Sequence, residues 1–471
     1  MAVDRMSPLD ALFLHVEDSV SHMHIASVLL LDGPAPSYAD FRAMLASHLA
    51  RVPRYRQVVR FVPFELGRPV WVDDPHFNIE YHVRHTALPA PGGEPELRRL
   101  IGRVMSQQLD RSKPLWELWM VEGLDDNRWA LICKTHHSIV DGVSGTELLT
   151  VLLDTSPTAA TTVEQPWHPD PAPSALDLAA DALVAMARSP YEQLRALRAA
   201  SRVPLQALAQ LGEIVSGFAA LAGVVPRPPV SSLNGPIGPH RRYGWASTTV
   251  DDIKRIRKEL GGTFNDVVLT GITAGFRTLL ESRGETVDRV VRTLVPVSVR
   301  GRDLSGRAVG DGTYDNKVSA MFADLPVGVA DPVERLHTVS AQLAGLKDSN
   351  QAVAGEALTS MSGFAPPVLL ALGTRIAAKA AQRNVNTITT NVPGPQLPLY
   401  VLGRRMRTAY PYVPLGAQCR TAVAIFSYDG QVNFGVTGDY DTTPDLDVLC
   451  RGIEHGMAEL GQLAGVATGP A

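Results

Sequence analysis

Two proline-rich stretches limit what this chain can fold into. QPWHPDPAP (Gln165–Pro173) and PRPPVSSLNGPIGPHRR (Pro226–Arg242) can continue neither a helix nor a central strand. Proline lacks the amide hydrogen that both ladders need, and its ring blocks the preceding helical turn. Between them the sequence reads as helical over Leu176–Arg188 and Tyr191–Ala200. A further run carries Leu205, Leu208, Leu211, Val215, Phe218 and Leu221 at three-to-four spacing, a stripe that predicts core or inter-domain packing, with a membrane-surface helix as the alternative. The chain therefore divides into a first segment, 1–164, a linker, 165–240, and a second segment, 241–471. Each outer segment is long enough for its own core.

Both outer segments alternate strand and helix patterns. SVLLLDG (Ser27–Gly33) and RWALICKTHH (Arg128–His137) read as strands; Tyr38–Val52, Glu96–Asp110 and Gly145–Thr155 show helical spacing. The last of these helices opens on Ser144 with Glu147 three positions later, a capping-box signature. In the second segment, helices are expected over Val250–Leu260 and Asn265–Ser282. Strands are expected over Arg289–Val297, Asn316–Ala323, Thr387–Asn391, Ala422–Tyr428 and Gln431–Tyr440, the last two forming a hairpin through Asp429–Gly430. The fold class is α+β, two halves joined by a helical linker.

Composition excludes several functions. Formal charge is 44 − 48 = −4, which gives no electrostatic case for nucleic acid. Short basic clusters at Arg54–Arg60, Arg241–Arg242, Lys254–Lys258 and Gly403–Arg407 read as solvated surface, with a phosphate-bearing ligand or an anionic membrane surface as the alternative. Cys133, Cys419 and Cys450 are far apart and odd in number, which supports neither a disulfide framework nor a zinc spacing and fits a reducing compartment. No uninterrupted apolar h-region stands at the N-terminus, and no apolar run approaches the roughly 18 residues of a membrane span. A cytoplasmic protein, soluble or peripheral, is expected.

The chemistry concentrates in KTHHSIVDGVSGTE (Lys134–Glu147). Strand alternation gives His137 the face of Thr135, Cys133 and Leu131, and gives His136 the opposite face with Lys134 and Ile132. Adjacent strand residues do not readily grip one metal, and no further ligands are in evidence, so no metal site is expected. A histidine titrating near pH 6.5 can accept a proton from a hydroxyl and return it later, as acyl transfer requires. Gly142 lets the backbone reverse before the capped helix. Asp141 could complete a triad or hold the loop by pairing with an arginine, and the residues alone leave both open. There is no G-x-S-x-G elbow, Walker loop or dinucleotide fingerprint. Direct transfer, without a covalent enzyme intermediate, is preferred.

HHSIVDG (His136–Gly142) resembles the HHxxxDG motif of the chloramphenicol-acetyltransferase-like, CoA-dependent acyltransferases. The surrounding blocks are SPLDALFLHVE (Ser7–Glu17), PLWELW (Pro114–Trp119), LNGPIGPHRR (Leu233–Arg242), FNDVVL (Phe264–Leu269), PVSVR (Pro296–Arg300), TNVPGP (Thr390–Pro395) and SYDGQVNFGVTGDYD (Ser427–Asp441). In that order they look like the bacterial wax ester synthase/diacylglycerol acyltransferase family.

The resemblance implies two acetyltransferase-like domains, mixed sheets flanked by helices, with the histidines at their interface. It implies transfer of a long-chain fatty acyl group from acyl-CoA, as co-substrate, to diacylglycerol or a fatty alcohol, with no other cofactor. His137 would be the general base and His136 supportive; Asp141 would pair with Arg300 as a structural peg, Gly142 making the turn. Asn265 and Asp266 match the family's ND pair, with helix capping as the competing role. Asn391, Pro393 and Gly394 fall in the NVPGP turn near the substrates, with Asn391 a candidate oxyanion or substrate contact and a conformational role as the alternative, and Pro114 and Trp116 would shape a substrate channel. Partners would be the two substrates and the surface of the inner membrane or of lipid droplets. The alternatives are a related acyltransferase using a polyketide or peptide alcohol, and a catalytically silent lipid-binding protein.

Overall fold

The structure is a computed structural model that describes residues 4–139, 153–158, 167–188, 231–298, 318–348, 384–416 and 418–465. The first part runs β1 (Asp4–Arg5), α1 (Pro8–Val16), β2 (His24–Asp32), α2 (Tyr38–His48), β3 (Gln57–Arg60), β4 (Val70–Asp73), α3 (Ile79–His82), β5 (Val83–Ala87), α4 (Glu94–Ser106), β6 (Trp116–Glu122) and β7 (Arg128–His136). The long helix α5 (Ala175–Arg188) follows. The second part runs β8 (Arg241–Thr249), α6 (Val250–Leu260), α7 (Phe264–Ser282), β9 (Val291–Ser298), β10 (Val318–Leu325), α8 (Pro332–Asp348), β11 (Thr387–Val392), β12 (Tyr400–Val401), β13 (Arg404–Tyr412), β14 (Thr421–Tyr428), β15 (Gln431–Asp439) and α9 (Leu446–Leu463).

Local chemistry sets several of these boundaries. Ser7, Ser37 and Thr249 each accept the third amide of the helix they precede, which satisfies a donor that has no intrahelical partner. Thr263 and Asp266 form a reciprocal capping box on α7. The β14–β15 turn falls on Asp429 and Gly430, with φ of 44° and 83°, the paired left-handed conformation that a two-residue hairpin demands.

Three sheets result. One is small, in the order β1–β4–β3, and two have six strands, in the orders β12–β13–β2–β7–β6–β5 and β10–β9–β11–β14–β15–β8. The first large sheet takes β12 and β13 from the far end of the chain: Tyr412 pairs with Ala26 and Tyr410 with Val28. β13 also packs face-on against the second large sheet. There the Pro411 carbonyl accepts from Tyr243 Oη at 2.8 Å, and Asn433 Nδ2 donates to the Ala409 carbonyl at 3.0 Å. A core of Leu29, Leu31, Trp116 and Trp129 from the first part is completed by Met406, Phe426 and Tyr428 from the second. The two parts share this core. No described helix is long and apolar enough to cross a membrane.

Candidate active site

β7 carries the histidine pair to the end of the first large sheet. His136 is its last residue and faces His24 of β2; His137 opens a 3₁₀ turn, His137–Ile139. The main chain is pinned on both sides. The His136 amide donates to the Leu115 carbonyl at 2.9 Å, and the His137 amide donates to the Met23 carbonyl at 2.8 Å. The PLW block thus holds the first histidine through Leu115, and the start of β2 holds the second.

The two imidazoles live in different surroundings. The His136 ring is fully buried. Its Nδ1 accepts the Ser138 amide at 3.1 Å and lies 2.7 Å from Ser138 Oγ, which places the proton of the neutral ring on Nε2. That nitrogen faces Glu17 Oε2 at 3.6 Å. His137 keeps some accessible surface and stacks on Phe13, with ring centroids 3.8 Å apart and planes inclined by 23°. Its Nδ1 is buried without a hydrogen-bond partner among the described residues. Burial is the largest influence on His137 and pulls its pKa down to about 4; contact with its own main chain works the other way. The ring is therefore neutral at pH 7 and able to accept a proton.

Glu17 ties this corner together. Its side chain is 1% exposed, and Arg111 Nε donates to Oε2 at 2.8 Å, with the Nη2 of the same arginine also bonded to it. Oε1 lies 3.3 Å from His24 Nε2. Burial would raise the Glu17 carboxyl, but His136, His24 and Arg111 together hold it well below the ordinary carboxylate range. Helix α1 therefore touches both histidines, Phe13 on His137 and Glu17 beside His136. Nothing in the residue pattern of SPLDALFLHVE reveals this. An acid at the C-terminal end of a helix, where the helix dipole disfavours it, is the one signal that could have found Glu17.

Burial also dominates at Lys134, where it lowers the pKa to about 8. Its ammonium donates to the Val104 carbonyl at 3.0 Å and to the Gln107 carbonyl, closing the C-terminal end of α4.

The other predicted residues fall into separate groups. Trp116 lies in a stack of rings, 4.7 Å from Tyr55 and 4.4 Å from His82, with Phe77 a further 5.3 Å beyond His82. Its indole Nε1 donates to the Tyr55 carbonyl at 2.8 Å, and Pro114 is buried just before it. Asn265 and Asn391 meet, with Asn391 Nδ2 donating to Asn265 Oδ1 at 2.6 Å; this joins the end of β11 to the N-terminus of α7. Asp266 is buried in the capping box and also accepts from Ser340 Oγ at 2.9 Å. Pro393 is exposed, and Gly394 lies so close to β14 that its amide donates to Ser427 Oγ at 3.2 Å. Asp141, Gly142 and Arg300 lie outside the described residues, as do the Ser144 capping box and the linker helices after Arg188.

Comparison with known proteins places this arrangement in a family. The model of the wax ester synthase/diacylglycerol acyltransferase catalytic domain matches residues 6–268, and that of the corresponding C-terminal domain matches residues 314–461. A probable diacylglycerol O-acyltransferase of Mycobacterium tuberculosis H37Rv is 37% identical over 97% of this chain and 96% of its own length. A second relative from that strain, a putative diacylglycerol O-acyltransferase, is 31% identical over 98% of this chain and 90% of its own. Among solved structures, the wax ester synthase/diacylglycerol acyltransferase of Marinobacter aquaeolei VT8 superposes with a TM-score of 0.69 at 27% identity, over 98% of this chain and 100% of that one. The first condensation domain of the calcium-dependent antibiotic synthetase shares the fold alone, with a TM-score of 0.57 at 16% identity over 98% of this chain and 97% of that one. Family models, relatives and a solved structure agree along nearly the whole chain, which belongs to the wax ester synthase/diacylglycerol acyltransferase family and is an acyltransferase.

Proposed function

We propose that this enzyme moves a long-chain fatty acyl group from its CoA thioester to the hydroxyl of a diacylglycerol or fatty alcohol, with His137 as general base. His137 takes the hydroxyl proton as the oxygen attacks the thioester carbonyl. The tetrahedral adduct then collapses, breaking the C–S bond, and the departing CoA thiolate recovers the proton from His137. No nucleophile of the protein and no cofactor takes part; acyl-CoA is a co-substrate. Ser138 and Glu17 hold the ring of His136 beside that of His137.

The observation that carries this reading is the state of His137. It is partly accessible, pinned through its main chain at the end of β7 and backed by an aromatic ring, and burial favours its neutral form. A base in that state needs no prior deprotonation. Because acceptor and product are water-insoluble, we also infer peripheral association with the inner membrane or a lipid-droplet surface. The test is purified enzyme with palmitoyl-CoA and either diacylglycerol or hexadecanol, following CoA release and neutral lipid. His137→Ala is expected to lose about 10²- to 10⁴-fold in rate, the usual worth of a positioned base. Equal rates for the two proteins, or no turnover with any alcohol, would overturn the reading.

A further inference from the structure

Away from the histidines, one region of the described surface exposes large apolar side chains beside arginines. It comprises α5 and the turn Phe61–Leu66, which precedes β4. Leu178 and Ala182 of α5 pack against Val62, Leu66 and Val70, so the inner face of the helix is used. The outer face is apolar as well: Leu176 is 81% exposed and Leu183 55%. A helix that is apolar all round belongs in an apolar medium on both sides, and water covers the outer side here. Asp177 stays an exposed anion at the edge of that face. Asp177 accepts from the Ser174 amide and hydroxyl, and Asp181 is paired with Arg5.

The turn repeats the anomaly. Phe64 is 89% exposed and sits in the left-handed region at φ 56°, ψ 18°, a conformation that costs a bulky residue on the order of 1 kcal/mol. Its side chain stands almost wholly in solvent, so packing among the described residues does little to offset that cost. Arg60 is exposed and Arg68 is half-buried, and both adjoin the turn; among the described residues neither has an acidic partner. Helix α1 touches both this region and the histidines. Phe61 lies edge-on to His15 of α1, with ring centroids 6.4 Å apart, and Phe13 of the same helix stacks on His137.

We propose that the turn Phe61–Leu66 and the outer face of α5 form the surface by which this enzyme docks on an anionic phospholipid bilayer. Phe64, Leu176 and Leu183 enter the boundary between headgroups and acyl chains, and Arg60 and Arg68 meet the phosphates. The inference rests on the lipid-surface reading above and names the face that serves it. The arginine rim argues against a second copy as occupant, because a two-fold pairing would set the rims against each other.

The experiment is flotation of the full chain with phosphatidylcholine vesicles, with and without phosphatidylglycerol, at low and high salt. The variants are Phe64→Gly, Leu176→Ser with Leu183→Ser, and Arg60→Glu. Wild type is expected to float with the phosphatidylglycerol vesicles and to lose binding as salt rises. Each variant should partition about tenfold less or weaker still. Phe64→Gly should do so with an unchanged or higher Tm, because glycine relieves the left-handed backbone. Wild type that fails to bind at low salt overturns the lipid-surface reading itself. Wild type that binds while the variants bind equally well overturns this face and leaves that reading standing. A fall in Tm with unchanged flotation would mean that another part of the chain covers the face. Loss of a dimer with unchanged flotation would mean that a second copy does. Either result also overturns the proposal.

Discussion

Glu17 is an ionised carboxylate with almost no water around it, and its neighbours explain why it can be one. Arg111 and His136 both face Oε2, and His24 faces Oε1. A glutamine there would keep the shape and can turn its carbonyl oxygen to Arg111, but the guanidinium loses its countercharge. A hydrogen bond to a charged group is worth about 1.5–3 kcal/mol, and Arg111 is partly exposed, so a loss at or below the lower end is expected. Glu17→Gln should therefore fold with a modestly lower Tm. The effect on turnover is expected to be larger, because α1 also carries Phe13 against His137, and small displacements of a base cost rate steeply. A kcat reduced by about tenfold or more with little change in KM for acyl-CoA is the expected result. An unchanged kcat beside a lowered Tm would make Glu17 purely structural.

At the scale of elements, the hydrophobic period made β7, α6 and α7 readable, and Asp429–Gly430 made the β14–β15 hairpin readable. α9 was harder, because LDVLCRGIEHGMAELGQL carries three glycines that weaken any helix pattern. Packing explains two of them. A Cβ on Gly452 would lie 2.9 Å from Gly275 Cα of α7, and one on Gly456 would collide with Ala274. The two helices approach closely because side chains are missing there, and a helix read alone cannot show that. Gly394 behaves similarly in the NVPGP turn. A Cβ there would collide with the Ser427 carbonyl and come within 2.5 Å of the Phe426 ring. Gly394→Ala must push the turn away from β14, at a cost of about 1–3 kcal/mol. It should lower Tm, and it should lower activity if the Asn391–Asn265 contact moves with the turn; a wild-type Tm would refute the close packing.

At the scale of the molecule, the part least legible in the sequence is the sharing of strands and core between the two ends of the chain. RRMRTAYPY contains Pro411, which demotes a strand reading, and its partner β2 lies near the opposite terminus. Periodicity is local and carries no record of a pairing at that separation. The shared core has a thermodynamic consequence: Trp116 and Trp129 cannot lose their packing while Phe426 and Tyr428 keep theirs. Urea unfolding followed by tryptophan fluorescence and by far-UV circular dichroism should give one coincident transition. Its midpoint should depend on pH with a definite sign. Burial lowers His137 and His82 to about 4 and His24 to about 3, whereas the unfolded chain takes up protons on these residues near pH 6.5. Between those limits the unfolded state binds more protons, so stability falls as the pH drops from 6.5 towards 4. Glu17 adds to the loss at the acid end, because its depressed carboxyl stabilises the fold only while it stays ionised. Midpoints at pH 7 and pH 5 should therefore differ, with the lower at pH 5. Equal midpoints would mean that burial does not hold these histidines below their ordinary pKa in the fold.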